Sequence, residues 1–219
     1  MISLFLDTSY KNLVISIFEG KKEIYHLEEE SDNNLSINLL PEIAKAFKSL
    51  NLEIYHLKRI YIVNGPGSFT GVRIGVTAAK TLAWSLGIDI IPISEIEFLA
   101  TYKTDKKYIV PLMDARRDAV YAGLYTQDLK PILKDQYIDR KEFVEMVKGK
   151  VNIEDVCFVS FDKFEDVEVE TPKVDVSKII VKHFDDTGID PHVAIPNYLK
   201  KTEAEEKLNK WLEKQHFLS

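Results

Sequence analysis

The chain repeats itself. Leu6-Asp7-Thr8-Ser9 aligns without gaps with Met113-Asp114-Ala115-Arg116 at an offset of 107 residues, and the match continues through Leu13/Val120, Ile17/Leu124 and Phe18/Tyr125. Two copies at this spacing mean a duplicated unit rather than a solenoid, which stacks several short repeats to bury its core. A length of 219 residues accommodates two such units, each with apolar surface to bury. In the first half, residues 2–6, 13–18 and 23–27 read as strands, the last two joined at hairpin spacing through Gly20-Lys21. Residues 35–50 place Leu39, Ile43, Ala46, Phe47 and Leu50 at helical spacing. Pro41 falls inside that run, so the helix is expected to start near it, in its first turn. Residues 60–63 are the next strand, 72–86 a helix stopped by Gly87, and 88–92 a further strand.

The second half repeats this order. Residues 108–113, 120–125 and 132–138 read as strands, 141–147 as a helix ended by Gly149, 156–161 as a strand and 174–184 as a helix. Beyond them, the capping box Thr202-Glu203-Ala204-Glu205 opens a last expected helix to about Gln215. The expected fold class is therefore α/β, a duplicated βββαβα unit in two lobes, residues 1–103 and 104–200, followed by a helix over 201–219. A unit duplicated in this way resembles the actin, hexokinase and Hsp70 superfamily (ASKHA, RNase H-like).

Composition narrows the function classes. Hydrophobic residues at 45% and charged residues at 29% suit a soluble globular chain. A net charge of −6 argues against an autonomous nucleic-acid binder. Asp7 interrupts the apolar N-terminus, no basic segment precedes it, and no apolar run approaches the roughly 18 residues of a membrane span, so a cytoplasmic protein is expected. Cys157 stands alone in an apolar run and reads as a buried structural thiol.

Residues 64–75, Asn-Gly-Pro-Gly-Ser-Phe-Thr-Gly-Val-Arg-Ile-Gly, join a strand to a helix. Such a turn brings backbone N–H groups close to an anion or to another backbone. Walker A fails, because Val72 and Arg73 follow Gly71 where Lys and Ser/Thr are needed. The dinucleotide fingerprint fails too, since Gly65, Gly67 and Gly71 are one residue too widely spaced. A kinase Gly-rich loop joins two strands, whereas this one opens a helix. Within that helix Gly71, Gly75 and Ala79 recur at i+4. Each helical Gly costs about 0.5–1 kcal/mol relative to Ala, so close approach of another element must compensate. That element lies in this chain or in another subunit. The helix carrying Leu39, Leu40, Ile43 and Phe47 has an apolar surface broader than one buried stripe, which favours a dimerisation face. Metal and nucleophile chemistry find no support. His26, His56, His183, His192 and His216 are scattered and read as surface or turn residues. Glu95 and Glu97 are spaced two apart and share no helix face, and no G-x-S-x-G elbow occurs.

The string 64–75 resembles the signature of the TsaB family, the small actin-like subunit of bacterial synthesis of threonylcarbamoyladenosine on tRNA. Leu39-Leu40-Pro41, Met113-Asp114-Ala115-Arg116-Arg117 with Val120-Tyr121, and Pro196-Asn197-Tyr198-Leu199-Lys200 extend the likeness over most of the chain. Leu35 departs from the His common in relatives, and Lys200 from their Arg. The resemblance implies a non-catalytic subunit that pairs with a catalytic TsaD-type subunit and works with a TsaE-type ATPase on adenosine 37 of tRNA. It implies a homodimer when alone, tRNA contact only through the complex, and no membrane. In the superfamily, the aspartates ending each half's first strand, here Asp7 and Asp114, face an interlobe cleft and organise a metal–phosphate ligand, although an Asp ending a strand is equally expected as a plain Asx-turn former. Here the second turn, Ala115-Arg116-Arg117-Asp118, carries side chains where bare backbone is needed. The superfamily's adenosine-binding Gly-Gly is also missing. No cofactor or metal is therefore expected on this chain alone, with ATP or ADP reserved for the complex interface and the second lobe degenerate. Expected contributors to a junction site are Asp7, Thr8, Ser9, Gly65, Pro66, Gly67, Ser68, Phe69, Thr70, Arg73, Asp114 and Arg116. A small ATP-dependent kinase or transferase is an alternative, and a metalloprotease a disfavoured one.

Overall fold

The first strand, β1 (Ile2–Asp7), is buried from Ser3 onward, which demands cover on both faces and a neighbour on each edge. It takes the centre of a five-stranded sheet. The antiparallel neighbour is β2 (Asn12–Glu19), with Leu4 opposite Ile17. The parallel neighbour is β4 (Leu57–Val63), with Leu4 beside Ile60. The outer strands are β3 (Lys22–Glu30) and β5 (Ile90–Ile93), giving the order β3-β2-β1-β4-β5. β3 is the exposed edge, and its run of glutamates discourages further pairing. This computed structural model describes residues 1–30 and 34–200; the helix expected over 201–219 lies outside the described residues.

The second sheet repeats the first. It comprises β6 (Tyr108–Asp114), β7 (Ala119–Thr126), β8 (Pro131–Asp139) and β9 (Val156–Val159) in the order β8-β7-β6-β9. β6 takes the place of β1, antiparallel to β7 and parallel to β9. Helices α1 (Leu35–Ser49) and α2 (Phe69–Leu86) belong to the first sheet and α4 (Arg140–Lys148) to the second, while α5 (Val176–His183) buries its apolar face in a cluster shared by both. The short α3 (Glu95–Leu99), which the sequence reading lacked, links the halves. One core cluster lies in the first lobe against α1 and α2, and another in the second lobe against α4. A third draws on both halves, joining Phe5, Tyr61 and Phe98 to Ile109, Cys157 and Ile179.

Three elements differ from the expectation. α1 begins at Leu35, and Pro41 sits at its seventh residue. The proline is exposed, while Leu35, Leu39, Ile43, Ala46 and Phe47 hold the helix down by burial. α2 begins at Phe69, because the Ser68 hydroxyl caps it by accepting from the Gly71 N–H. The end of the expected second lobe also returns to the first. Ile189 pairs with Ile90, and Asn197 N–H donates to the Asn64 carbonyl at 2.7 Å.

Candidate functional site

The glycines of the 64–75 string are explained by the end of β1. A Cβ on Gly67 would lie 2.1 Å from the Ser9 carbonyl oxygen, and one on Gly71 2.1 Å from that of Thr8. A Cβ on Gly75 would lie 2.2 Å from Thr8 Oγ1. Bare backbone is therefore needed for the α2 N-terminus to rest on Thr8-Ser9, where Ser68 N–H donates to Ser9 O at 2.6 Å and Thr8 Oγ1 to Gly71 O at 2.8 Å. This corrects the small-residue ridge. Gly71, Gly75 and Ala79 face the chain's own sheet, not another subunit. Leu39, Ile43 and Phe47 are likewise buried in the first-lobe core, and of the expected interface residues only Leu40, 53% exposed, stands outside. Asn64 and Gly65 secure the tail. Asn64 Nδ2 donates to Ile195 O at 3.0 Å, and a Cβ on Gly65 (φ +114°) would meet Asn197 O at 2.9 Å. Pro66 follows through a cis peptide bond, and both residues are buried.

Asp7, Thr8 and Ser9 are buried beneath this junction and are not among the residues lining the cleft, contrary to the expected cleft-facing aspartate. Asp7 Oδ1 accepts from Ser9 N–H at 2.7 Å, and Ser9 Oγ donates to Glu95 Oε2 at 3.0 Å. Burial pushes the Asp7 carboxyl up to about 6. Burial, then the charge of Asp7, pushes Glu95 well above the carboxylate range. Both shifts favour the protonated carboxyl, so that one acid of the pair can donate to the other. Helical spacing gives Glu95 no partner in the sequence, because its partners Asp7 and Ser9 lie at and just beyond the end of β1. Glu97, two residues on, is held below its ordinary range by His183 and Lys182 despite burial. His183 is thus not the surface or turn residue expected. It lies in α5 between Glu97 and Asp186, at 3.2 and 2.6 Å.

Between the lobes lies a pocket of about 550 Å³. Its first-lobe wall is Tyr10, Lys11 and residues 67–70; its second-lobe wall is residues 113–116 with Tyr121. Asp162 ties the walls. Its Oδ2 accepts from the Tyr10 hydroxyl and, at 2.9 Å, from the Asp114 N–H, while its Oδ1 pairs with Lys11 at 3.2 Å. Asp114 is exposed and accepts from Arg116 N–H at 2.9 Å. Arg116, Arg117 and Asp118 have φ of +66°, +55° and +60°, three consecutive left-handed residues without a glycine. Beyond Phe69, Arg73, which lines the groove between α1 and α2, lies over the Phe69 ring at 3.6 Å and donates to the Tyr198 hydroxyl at 2.8 Å. The Phe69 and Tyr198 rings stack at 5.9 Å. Among the described residues no group of three His, Cys, Asp or Glu is placed to hold a metal.

The outer side of α1 and α2 is a second feature. A groove of about 410 Å³ runs between them, lined by Ser36, Leu39, Leu40, Ile74, Thr77, Ala78, Thr81 and Leu82, with Arg73 at one end. A neighbouring depression shares Leu40 and Leu82 and extends to Ile54. Arg73 and Lys80 are the charged residues of α2, and both turn toward the tail, Lys80 donating to His192 O at 3.1 Å.

The family model for tRNA N6-adenosine threonylcarbamoyltransferase, TsaD, matches residues 28–207. The tRNA threonylcarbamoyladenosine biosynthesis protein TsaB of Bacillus subtilis is 33% identical, across 98% of this chain and all of that one. The chain belongs to the TsaB family. The TsaB of Haemophilus influenzae is 26% identical over 90% of this chain and 81% of that protein. The solved YeaZ from Pseudomonas aeruginosa superposes with a TM-score of 0.72 at 20% identity, covering 90% of this chain and 99% of that one. At that identity the likeness shows the fold alone. Among the described residues no helix is long and apolar enough to cross a membrane.

Proposed function

We propose that this chain acts in tRNA threonylcarbamoyladenosine biosynthesis as a non-catalytic subunit, docking on a TsaD-type catalytic subunit through the outer face of α1 and α2. The observation that carries the docking is the mostly apolar groove around Leu40, Ile74 and Leu82, in which Arg73 is the single charged lining residue. Interface cores are depleted of charge, whereas exposed helices ordinarily display it. The non-catalytic part is supported by the cleft. Asp7 and Glu95 are buried in mutual contact, and the turn after β6 presents arginine side chains where a phosphate would need backbone. Alone, the chain would pair with a second copy through the same face, which then competes with the TsaD-type partner. A TsaE-type ATPase, tRNA reached through the assembly, ATP or ADP at the subunit junction and a cytoplasmic setting complete the proposal. No nucleotide or metal is expected on the isolated chain.

The test is Leu40→Asp with Ile74→Asp, measured for sedimentation mass and capture of a purified TsaD-type subunit, with circular dichroism as the control for folding. A folded monomer that captures no partner is expected. A folded double variant that still dimerises and still captures the partner rules this face out. Transfer of a threonylcarbamoyl group to tRNA by the chain alone would overturn the non-catalytic assignment.

A further inference from the structure

The mouth of the interlobe cleft carries a charge opposite to that of the whole chain. Arg73, Arg116, Arg117 and Lys200 are exposed, and none has a carboxylate partner among the described residues. An unpaired arginine is ordinary on a surface. Arg116 lines the cleft and Arg117 follows it in the same turn, while Arg73 and Lys200 lie against rings beside it, so four basic residues gather near one opening, with Asp114 and Asp118 among them, on a protein of net charge −6. Flat rings lie among them. Phe69 is 59% exposed and Tyr198 50%, stacked on each other with the Arg73 guanidinium against the Phe69 face. Lys200 lies over the Tyr137 ring at 4.9 Å, and Tyr137 packs on Tyr121 in the cleft wall. The left-handed run at 116–118 is unfavourable for residues other than glycine. Asp118 is anchored through its carbonyl, which accepts from Arg140 N–H at 2.9 Å, so the turn holds Arg116 and Arg117 outward.

We infer that this rim contacts unpaired RNA, with Phe69, Arg73 and Tyr198 as a platform on which a base stacks and Arg116, Arg117 and Lys200 as phosphate contacts. Exposed rings interleaved with unpaired cations are what a single strand requires, because every base offers a face to stack and the backbone is polyanionic. A free nucleotide fits less well, since the Asp114 carboxylate stands in the cleft between the two cationic rims and repels a compact polyphosphate. A strand spans the rims and passes over it. That the RNA is the anticodon loop of a tRNA rests on the pathway proposed above; the stacking surface itself does not.

The probe is a fluorescein-labelled RNA hairpin with an anticodon-type loop, read by anisotropy with the chain alone and with the chain bound to a TsaD-type subunit. A blunt duplex and ADP serve as competitors. Phe69→Ala should weaken hairpin binding by at least about fivefold. Arg116→Ala with Arg117→Ala should weaken it and lower the slope of log affinity against log salt by about 1–2. Melting and partner capture should be unchanged in both variants. Equal affinity in wild type and variants, equal competition by duplex, or displacement by ADP overturns the inference. Loss of partner capture in the arginine variant assigns those residues to a protein interface instead. If wild type captures no partner but the variants still lose the hairpin, the proposed docking fails and the RNA surface stands.

Discussion

Thr8 makes Gly75 irreplaceable. A methyl group there would gain up to about 1 kcal/mol of helix propensity, yet it would sit 2.2 Å from Thr8 Oγ1. Gly75→Ala should therefore lower stability by roughly 1–3 kcal/mol by overpacking. Thr8→Ala in the same chain should recover part of that loss, giving a coupling of at least about 0.5 kcal/mol in a urea double-mutant cycle. Additive losses would mean that the two residues are not in contact. The buried pair is the second residue-scale case. Asp7 takes up its proton near 6 in the folded chain against 3.8 when unfolded, and Glu95 is shifted the same way. The folded state thus binds protons more tightly. The contribution of Asp7 to stability is complete below about pH 4 and declines as pH rises through 6, by an amount on the order of 3 kcal/mol, and that of Glu95 declines in the same sense. His183, also raised, adds a decline of the same sign above its ordinary range. Glu95→Gln should flatten the part due to the pair and keep the part due to His183, as read from urea midpoints between pH 4 and 8. An unchanged pH profile in that variant would show that the carboxyls are not coupled.

At the scale of elements, α1 tolerates Pro41 because burial outweighs a missing hydrogen bond. Five apolar side chains go inward, while the proline ring lies outside. Pro41→Ala restores the N–H donor and should raise the melting temperature, the helix gaining about 1 kcal/mol or more. A lower melting temperature would mean that the ring stiffens the unfolded chain by more than it costs the helix. α3 works differently. It is five residues long and could not persist alone. Ser94 caps it by accepting from Ile96 N–H at 3.2 Å, and Phe98 packs on Phe5 at 4.9 Å. Its two glutamates point to different partners, Glu95 to β1 and Glu97 to α5.

At the scale of the whole molecule, two lobes share one core cluster and one latch. The latch is Asp162, which receives the Tyr10 hydroxyl from the first lobe and the Asp114 N–H from the second. Burial and the Asp162 charge push the Tyr10 phenol upward, so the ring stays a donor across the working pH range. Asp162→Ala should leave the shared core of Phe5, Ile109 and Ile179 intact. It should also raise amide exchange selectively at residues 8–11 and 114–118. Uniform exchange across both lobes would mean that the latch stabilises the fold globally, and no change would mean that the lobes are held by the core alone.

The sequence by itself determined the architecture, because local period and duplication are written along the chain. The offset of 107 residues foretold that β6 would stand where β1 stands, and the strand order β8-β7-β6-β9 repeats β3-β2-β1-β4. The Gly71–Gly75–Ala79 spacing announced a close approach, but helical spacing is silent about which neighbour approaches. Tertiary structure decided that, laying the glycines on Thr8 and Ser9 and leaving Leu40, Ile74 and Leu82 outside. Tertiary structure also paired Asp7 with Glu95, 88 positions apart, and joined residues 64–65 to 195–197. Long-range partners of this kind leave no periodic trace, since either residue would satisfy its local rules equally well with another neighbour. The left-handed arginine turn was hidden for a related reason. Positive φ is expected of glycine, and only contacts from outside the turn, such as that of Arg140 with Asp118, hold three other residues there.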